Sequence, residues 1–385
     1  MHKIFFLITI SITVTLTAFN QNLTSYHKIK DTSFYSNKLG YNKDISITVP
    51  FEWQDDVNKD FPVIVIFDKQ NQRSHQYIIN TIDYLTVNDQ MPSSIIVSIA
   101  SDQEHRYIET LHKETSEKGK AHLNEAFLFE ELFPFVESKY KAGKFRTFIG
   151  HSRYGYFTTS LLFSRLNEIN AVVSLSPFFT QKNVNLTDSI STLNDKKTTS
   201  NIYYRFGIGG DYPDQYELMD SALKKLQNPN INASGVLFKE ASHNATPGLT
   251  ISSALYDIFE YWNNQQNQFF FPAPRDLDLI EEGSQKIINH YGYDFPYTIG
   301  ILNGAGWHFY NEKEYEKAIK AWEILMKVYP NFSEGYLYII YAEKELGRDS
   351  KTTIDLFKKS MTLTKIYSKP DYYELENEFN ELIKK

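Results

Sequence analysis

The feature that most constrains the fold of this chain is a series of short apolar runs separated by segments with helical spacing. Phe61–Asp68 and Ser94–Ile99 are typical, because each is rich in β-branched residues and bounded by polar ones. Such runs predict strands that are buried on both faces, as in the interior of a parallel sheet. Since helical segments lie between them, the sequence predicts an α/β fold with a doubly wound, mostly parallel sheet.

Other segments extend this prediction along the chain. An alternating run at Asp44–Pro50, preceded by a turn at Gly40, predicts a hairpin near the amino end. Further strands are predicted at 171–177, 201–208 and 236–238, and helices at 78–85, 125–140, 157–166, 222–226 and 251–262. The predicted α/β unit therefore covers residues 21–268.

One segment, Thr147–Tyr156, combines a strand, a sharp turn and the start of a helix. Gly150 lies two residues before Ser152, which predicts a nucleophile elbow that exposes the serine hydroxyl at the carboxyl end of the sheet. The full pattern also has a glycine two residues after the serine, but Tyr154 stands there and Gly155 follows one position later. The alternative is an ordinary strand-to-helix turn, since a lone match of this kind is common.

Chemically useful side chains follow several of the predicted strands. In sheets of this class, ligands bind beyond the carboxyl ends of the strands. The residues just past those ends are Asp68, Ser152, Asp211 and His243. Serine, acid and histidine occur in the chain order of the α/β-hydrolase triad, which predicts Ser152 as nucleophile, His243 as base and Asp211 as the orienting acid. Asp214 and Glu217 are alternative acids.

Over about residues 36–262, the sequence resembles the putative esterase family of α/β-hydrolases, which includes esterase D-like enzymes and siderophore, feruloyl and acetylxylan esterases. The matching features are the hairpin at Ser36–Gly40, the strand Pro62–Asp68, the loop residues Arg106, Glu109 and Thr110, the helix at Glu131–Tyr140, the triplet Gly150–Ser152, and His243. The chain departs from the family at Lys69, where a glycine is expected, and at Tyr154.

The resemblance implies a serine esterase that hydrolyses a small-molecule carboxylic ester without a metal or an organic cofactor. The backbone N–H of Arg153, and one from Lys69 or Gln70, would form the oxyanion hole. The residues expected to contact the substrate are Gln70, Arg106, Glu109 and Tyr154. A catalytically impaired hydrolase fold that binds a ligand or a partner is the rival interpretation.

The two residues after Ser152 leave alternatives open. With Tyr154 in place of glycine, either the helix starts farther from the strand or the phenol ring turns outward into the pocket. The Arg153 guanidinium either engages an anionic group of the substrate or pairs with an internal acid such as Glu109.

Composition excludes several functions. A net charge of −7 supplies no basic field for binding nucleic acid or an anionic membrane. The chain has no cysteine, which excludes disulfides, thiolate metal sites and a cysteine nucleophile.

At the amino end, a short basic start, an apolar stretch at Ile4–Phe19 and Ala18 predict a signal peptide over residues 1–20 and a secreted or periplasmic protein. An uncleaved anchor is the alternative.

The carboxyl-terminal part differs in kind. Residues 269–275 are predicted as a linker, and residues 276–385 as an all-helical region. Tetratricopeptide-like spacing is seen at Leu302, Ala305, Gly306, Phe309, Tyr315, Ala318, Trp322 and Pro330. A second, degenerate repeat covers Tyr336–Met361, and Tyr372–Lys385 is predicted as a capping helix. The region is expected either to bind a protein partner or to pack on the hydrolase as a small helical domain.

Overall fold

The computed structural model describes residues 25–55 and 59–384. Its strands are β1 (Tyr26–Ser36), β2 (Tyr41–Pro50), β3 (Phe61–Phe67), β4 (Ile95–Ile99), β5 (Ala142–His151), β6 (Ala171–Leu175), β7 (Thr180–Gln181), β8 (Val184–Asn185), β9 (Ile202–Gly209) and β10 (Ile231–Phe238). Eight of these form one sheet in the order β1-β2-β4-β3-β5-β6-β9-β10, and β7 pairs only with β8. The predicted signal peptide lies outside the described residues.

The main sheet is mostly parallel. Strands β4, β3, β5, β6, β9 and β10 run parallel to one another, whereas β2 is antiparallel to both β4 and β1. β3 and β4 are buried along their whole length, as their continuous apolar runs predict. Gly40, with φ of 82°, makes the turn between β1 and β2. The predicted α/β fold is confirmed.

Helices connect the strands and flank the sheet. They are α1 (Gln72–Val87), α2 (Gln103–Glu109), α3 (Ala121–Ala126), α4 (Phe133–Tyr140), α5 (Arg153–Ser164), α6 (Leu186–Ser189), α7 (Pro213–Leu223) and α8 (Thr246–Phe270), with a π-helical stretch at Phe127–Leu132. α7 begins nine residues before the helix predicted at 222, because Pro213 is well suited to the first turn of a helix. The acid at position 211 therefore lies directly before a helix.

Six further helices follow: α9 (Asp278–Tyr291), α10 (Ile299–Asn311), α11 (Tyr315–Val328), α12 (Ser333–Glu345), α13 (Lys351–Leu363) and α14 (Lys369–Lys384). From α10 to α13, each helix packs on the next. A Cβ added to Gly306 of α10 would lie 2.2 Å from the Trp322 Nε1 of α11, so the absence of a side chain permits this close packing. The tetratricopeptide assignment stays a prediction. No helix in the described ranges is long and apolar enough to cross a membrane.

The first of these helices packs into the core of the α/β unit. Tyr291, the last residue of α9, and Phe295 are both fully buried. Their rings lie 5.9 and 4.9 Å from the ring of Phe145 in β5, measured between centroids. The Tyr291 hydroxyl also donates a 2.9 Å hydrogen bond to the Ile258 carbonyl of α8. We therefore propose that the α/β unit continues past the predicted linker to about Tyr297.

This packing makes a prediction about shortened chains. A chain ending at Gln268 loses Tyr291 and Phe295 and exposes Phe145, so we expect its free energy of unfolding to fall by at least ~3 kcal/mol, the scale of deleting one buried aromatic ring. A chain ending at Thr298 retains both rings and is expected to stay closer to the full-length protein. Thermal unfolding of the two chains measures the difference. Equal melting temperatures would place the boundary back at 269–275.

Candidate active site

Ser152 lies in a strained turn between a strand and a helix. β5 ends at His151 and α5 begins at Arg153. Between them, Ser152 has φ of 58° and ψ of −113°, a backbone conformation that non-glycine residues rarely adopt. A Cβ added to Gly150 would lie 2.3 Å from the Tyr154 carbonyl oxygen, so strand and helix approach closely here. The strand, turn and helix therefore have the close geometry that a nucleophile elbow requires.

His243 and Asp211 form a pair at the same edge of the sheet. Asp211 follows β9, and His243 lies between β10 and α8. His243 Nδ1 donates to Asp211 Oδ2 over 2.5 Å. In the described part of the chain, neither Asp214 nor Glu217 hydrogen-bonds to His243. Of the three candidate acids, Asp211 is thus the one positioned to orient the imidazole.

The pair lies beside the strained turn. The His243 ring is 4.7 Å from the His151 ring between centroids, and the His243 carbonyl oxygen is 3.2 Å from His151 Nε2. Among residues 25–55 and 59–384, however, the Ser152 hydroxyl makes no hydrogen bond, so none joins the serine to His243. Catalytic hydrogen bonds of this kind are often long or poorly aligned before substrate binds.

Two residues that were not predicted as site residues, His151 and Tyr212, lie next to His243. Burial lowers the pKa of His151 to about 4, and the charge of His243 adds to the effect, so His151 is neutral at pH 7. The Tyr212 ring stands perpendicular to the His243 ring at 5.7 Å. Each is adjacent in sequence to a predicted site residue, Ser152 or Asp211, which is the signal that would have found it.

Arg106 forms hydrogen bonds that connect the end of β3 with the end of β5. Its Nε and Nη2 donate to Asp68 Oδ1 and Oδ2 over 2.6 and 2.8 Å, and Nη2 also donates to the His151 carbonyl over 3.1 Å. Asp68 itself has a φ of 61°. Because these donors are used internally, Arg106 holds the ends of β3 and β5 together, and its predicted role in substrate binding is not supported by its contacts.

The loop after β3 corrects one predicted oxyanion donor. The Lys69 N–H donates to the Ile99 carbonyl of β4 over 3.0 Å, so it is not available to a substrate. In contrast, the Gln70 N–H has no acceptor within the described ranges. The Gln70 side chain accepts from the Ser101 N–H over 3.0 Å and donates to Asp68 over 2.9 Å. These bonds fix the loop, and they occupy the side-chain amide of Gln70 while its backbone N–H stays free in the described ranges.

Tyr154 and Glu109 do not line the site, which corrects two predicted substrate contacts. Both side chains are fully buried. The Tyr154 ring stacks on Phe67, with centroids 4.3 Å apart, and its hydroxyl hydrogen-bonds to Glu109 and Ser101. Burial raises the pKa of Tyr154 well above its usual value, which keeps the hydroxyl protonated. The ring therefore turns inward and packs against Phe67 at the end of β3, and it does not point outward into a substrate pocket.

Glu109 is paired with a lysine that sequence reasoning did not select. Lys43 Nζ donates to Glu109 Oε1 and Oε2 over 2.9 and 2.8 Å, and only 2% of the Lys43 side chain is exposed. The Tyr41 hydroxyl donates to Oε1 over 2.6 Å. Glu109 is thus fully engaged by internal donors and forms no ion pair with Arg153 in the described structure.

Arg153 instead lies among aromatic rings. Its guanidinium carbon is 4.1 Å from the centre of the Tyr107 ring and 5.9 Å from that of Phe178. Its Nη1 is buried and has no hydrogen-bond partner among the residues that the structure describes.

Within the same residues, no cluster of three or more metal-binding side chains occurs.

Two histidines, the buried His151 and the partly buried His75, predict an acid-sensitive fold. Burial lowers the pKa of both His75 and His151 from 6.5 to about 4, with smaller contributions from Lys69 at His75 and from His243 at His151. Because the unfolded chain binds more protons between these values, the free energy of unfolding should fall as the pH drops from about 6.5 to 4, by up to ~3 kcal/mol per histidine.

Urea unfolding at pH 7, 5.5 and 4.5 measures this loss, and His75→Gln is expected to reduce its slope. A free energy of unfolding that stays constant over this range would contradict the prediction.

Comparison with solved structures finds proteins of the same fold. No curated protein matches the chain. Among solved structures, an uncharacterised protein from Capnocytophaga ochracea is similar with a TM-score of 0.60 and 16% identity, covering 93% of this chain and all of that one. An IroE-like serine hydrolase from Shewanella oneidensis has a TM-score of 0.59 and 15% identity, covering 78% of this chain and 98% of that one. At these identities the two likenesses show the fold.

A family model described as putative esterase matches residues 36–222. The match begins at Ser36, the last residue of β1, and includes β2, the loop after β3 and the elbow around Ser152, and it ends before His243. It agrees with the α/β sheet and with the serine at the end of β5. Over residues 36–222, the chain is therefore similar to the putative esterase family.

Proposed function

We propose that this protein is a serine esterase that hydrolyses small-molecule carboxylic esters through Ser152, His243 and Asp211. The observation that carries the proposal is the strained Ser152 turn at the amino end of α5, with the hydrogen-bonded His243–Asp211 pair beside it. The rival, a binding protein with an impaired elbow, retains support from the missing hydrogen bond between serine and histidine. Activity decides between the two.

In the proposed reaction, His243 Nε2 accepts the proton of Ser152 as the serine oxygen attacks the ester carbonyl. The protonated imidazole then gives the proton to the leaving alcohol, and an acyl-enzyme remains until water, activated by the same histidine, releases the acid. Asp211 holds the Nδ1 proton and stabilises the imidazolium.

The tetrahedral oxyanion would be stabilised by two backbone N–H groups, those of Arg153 and Gln70. Arg153 is the first residue of α5, where helical N–H groups have no intrahelical acceptor. Gln70 follows the occupied Lys69 N–H, and its own N–H has no acceptor in the described ranges. Such preorganised donors are usually a large part of the rate enhancement in acyl transfer.

Two further proposals rest on sequence. The residues before about Gln21 are proposed to direct export, which would make the mature protein secreted or periplasmic. The helices from α10 onward are proposed to hold a protein partner or to pack as an accessory layer. The chain's proposed chemistry calls on no metal and no organic cofactor.

The experiment that tests the esterase proposal is hydrolysis of 4-nitrophenyl butyrate by the full chain, compared with its Ser152→Ala variant. Turnover by the wild-type protein that disappears in the variant supports a serine esterase. A folded wild-type protein without turnover supports the binding protein instead.

A further inference from the structure

Arg153 is a cation next to the proposed nucleophile, and it forms no ion pair with a carboxylate of the described residues. Its guanidinium lies over the Tyr107 ring and near Phe178, and its buried Nη1 has no partner among residues 25–55 and 59–384. A buried donor that lacks an acceptor is costly, and a charged one more so. A group outside the described protein atoms would remove that cost.

Three acids around the site are already engaged by other bases. Glu109 is bound by Lys43, Asp68 by Arg106, and Asp211 by His243. Each carboxylate is thus paired with a different basic side chain. The residue that the sequence suggested as an internal partner for Arg153 is therefore occupied.

The aromatic rings make Arg153 suitable for recognition. The contact with the face of the Tyr107 ring restrains the guanidinium, so less conformational freedom is lost when it binds a ligand. The planar fork matches the two oxygens of a carboxylate. The amino end of α5, where Arg153 begins the helix, adds a favourable potential for negative charge. Tyr107 is 47% exposed, which leaves this side of the site open to solvent.

We infer that the preferred substrate carries a carboxylate a few bonds from the ester carbonyl, and that the Arg153 side chain binds it. The inference rests on the proposed esterase function and adds the substrate class. The backbone N–H of Arg153 serves the oxyanion, whereas its side chain selects the substrate, so the two roles are separable by substitution of the side chain.

Matched ester pairs test the inference. One pair is mono-4-nitrophenyl adipate and its terminal amide, which differ in charge on the acyl side. The other is 3-carboxyphenyl butyrate and 3-carbamoylphenyl butyrate, which differ on the alcohol side. We expect kcat/KM to favour the carboxylate in at least one pair by about tenfold or more, the scale of one charge-assisted bidentate contact.

The variants identify the residue responsible. Arg153→Gln should bring the ratio of kcat/KM values to about one, and Arg153→Lys should retain part of the preference, because lysine keeps the charge but not the planar fork. Arg275→Gln removes an exposed arginine near the start of α9 and should leave the wild-type ratio unchanged.

The outcomes separate this inference from the esterase proposal. Hydrolysis of all four esters with ratios near one in the wild-type protein overturns the substrate class and leaves the esterase standing. A preference that survives Arg153→Gln overturns the role of Arg153. Absence of hydrolysis of every ester contradicts the esterase proposal itself.

Discussion

Replacing Ser152 by alanine is expected to lower kcat for 4-nitrophenyl butyrate by about four orders of magnitude or more, since serine and histidine of a triad act as a unit. His243→Ala should cost about as much, and the double variant little more than either change alone. Asp211→Asn should cost less, because it removes only the group that orients His243 and stabilises its charge.

Two controls accompany this measurement. Ser138→Ala changes an exposed serine on α4 and should leave kcat unchanged. Circular dichroism shows whether each variant is folded. An organophosphorus ester should label Ser152 in the wild-type protein and fail to label the Ser152→Ala variant, which mass spectrometry detects. Undiminished turnover in folded Ser152→Ala would sink the proposed mechanism.

Lys43→Met is expected to lower the free energy of unfolding by about 3–5 kcal/mol, because it leaves the Glu109 carboxylate buried without its countercharge. The Lys43 and Glu109 side chains are 2% and 0% exposed. The hydroxyls of Tyr41, Ser101 and Tyr154 still donate to Glu109, but they do not neutralise its charge. Urea unfolding followed by tryptophan fluorescence measures the change.

Lys286→Met is the matched control. Lys286 pairs with Glu282 on α9, and these side chains are 47% and 57% exposed, so the loss should be below about 1 kcal/mol. Similar losses for the two lysine variants would mean that the buried pair contributes no more than a surface pair. The predicted importance of burial would then be wrong.

The sequence by itself determined most strands of the main sheet and where those strands end. The apolar runs that became β3 and β4 carry their burial in their composition, because a strand covered on both faces needs apolar residues at successive positions. The turn at Ser152 was equally readable, since Gly150 allows the close approach that the turn requires. Parallel strands bring their carboxyl ends to one edge, so chain order alone predicted that Ser152, Asp211 and His243 would be neighbours.

Only the tertiary structure decided which polar groups remain free. The Lys69 N–H is not available as an oxyanion donor, because β4 lies beside β3 and the Ile99 carbonyl of β4 accepts its hydrogen bond. The Tyr154 ring points inward, where its hydroxyl donates to Glu109. Lys43 and Ser101, from distant segments of the chain, also donate to Glu109. Hydrogen-bond partners are set by which strands become neighbours, and that choice is made by packing across the whole sheet. No local pattern in the chain encodes it.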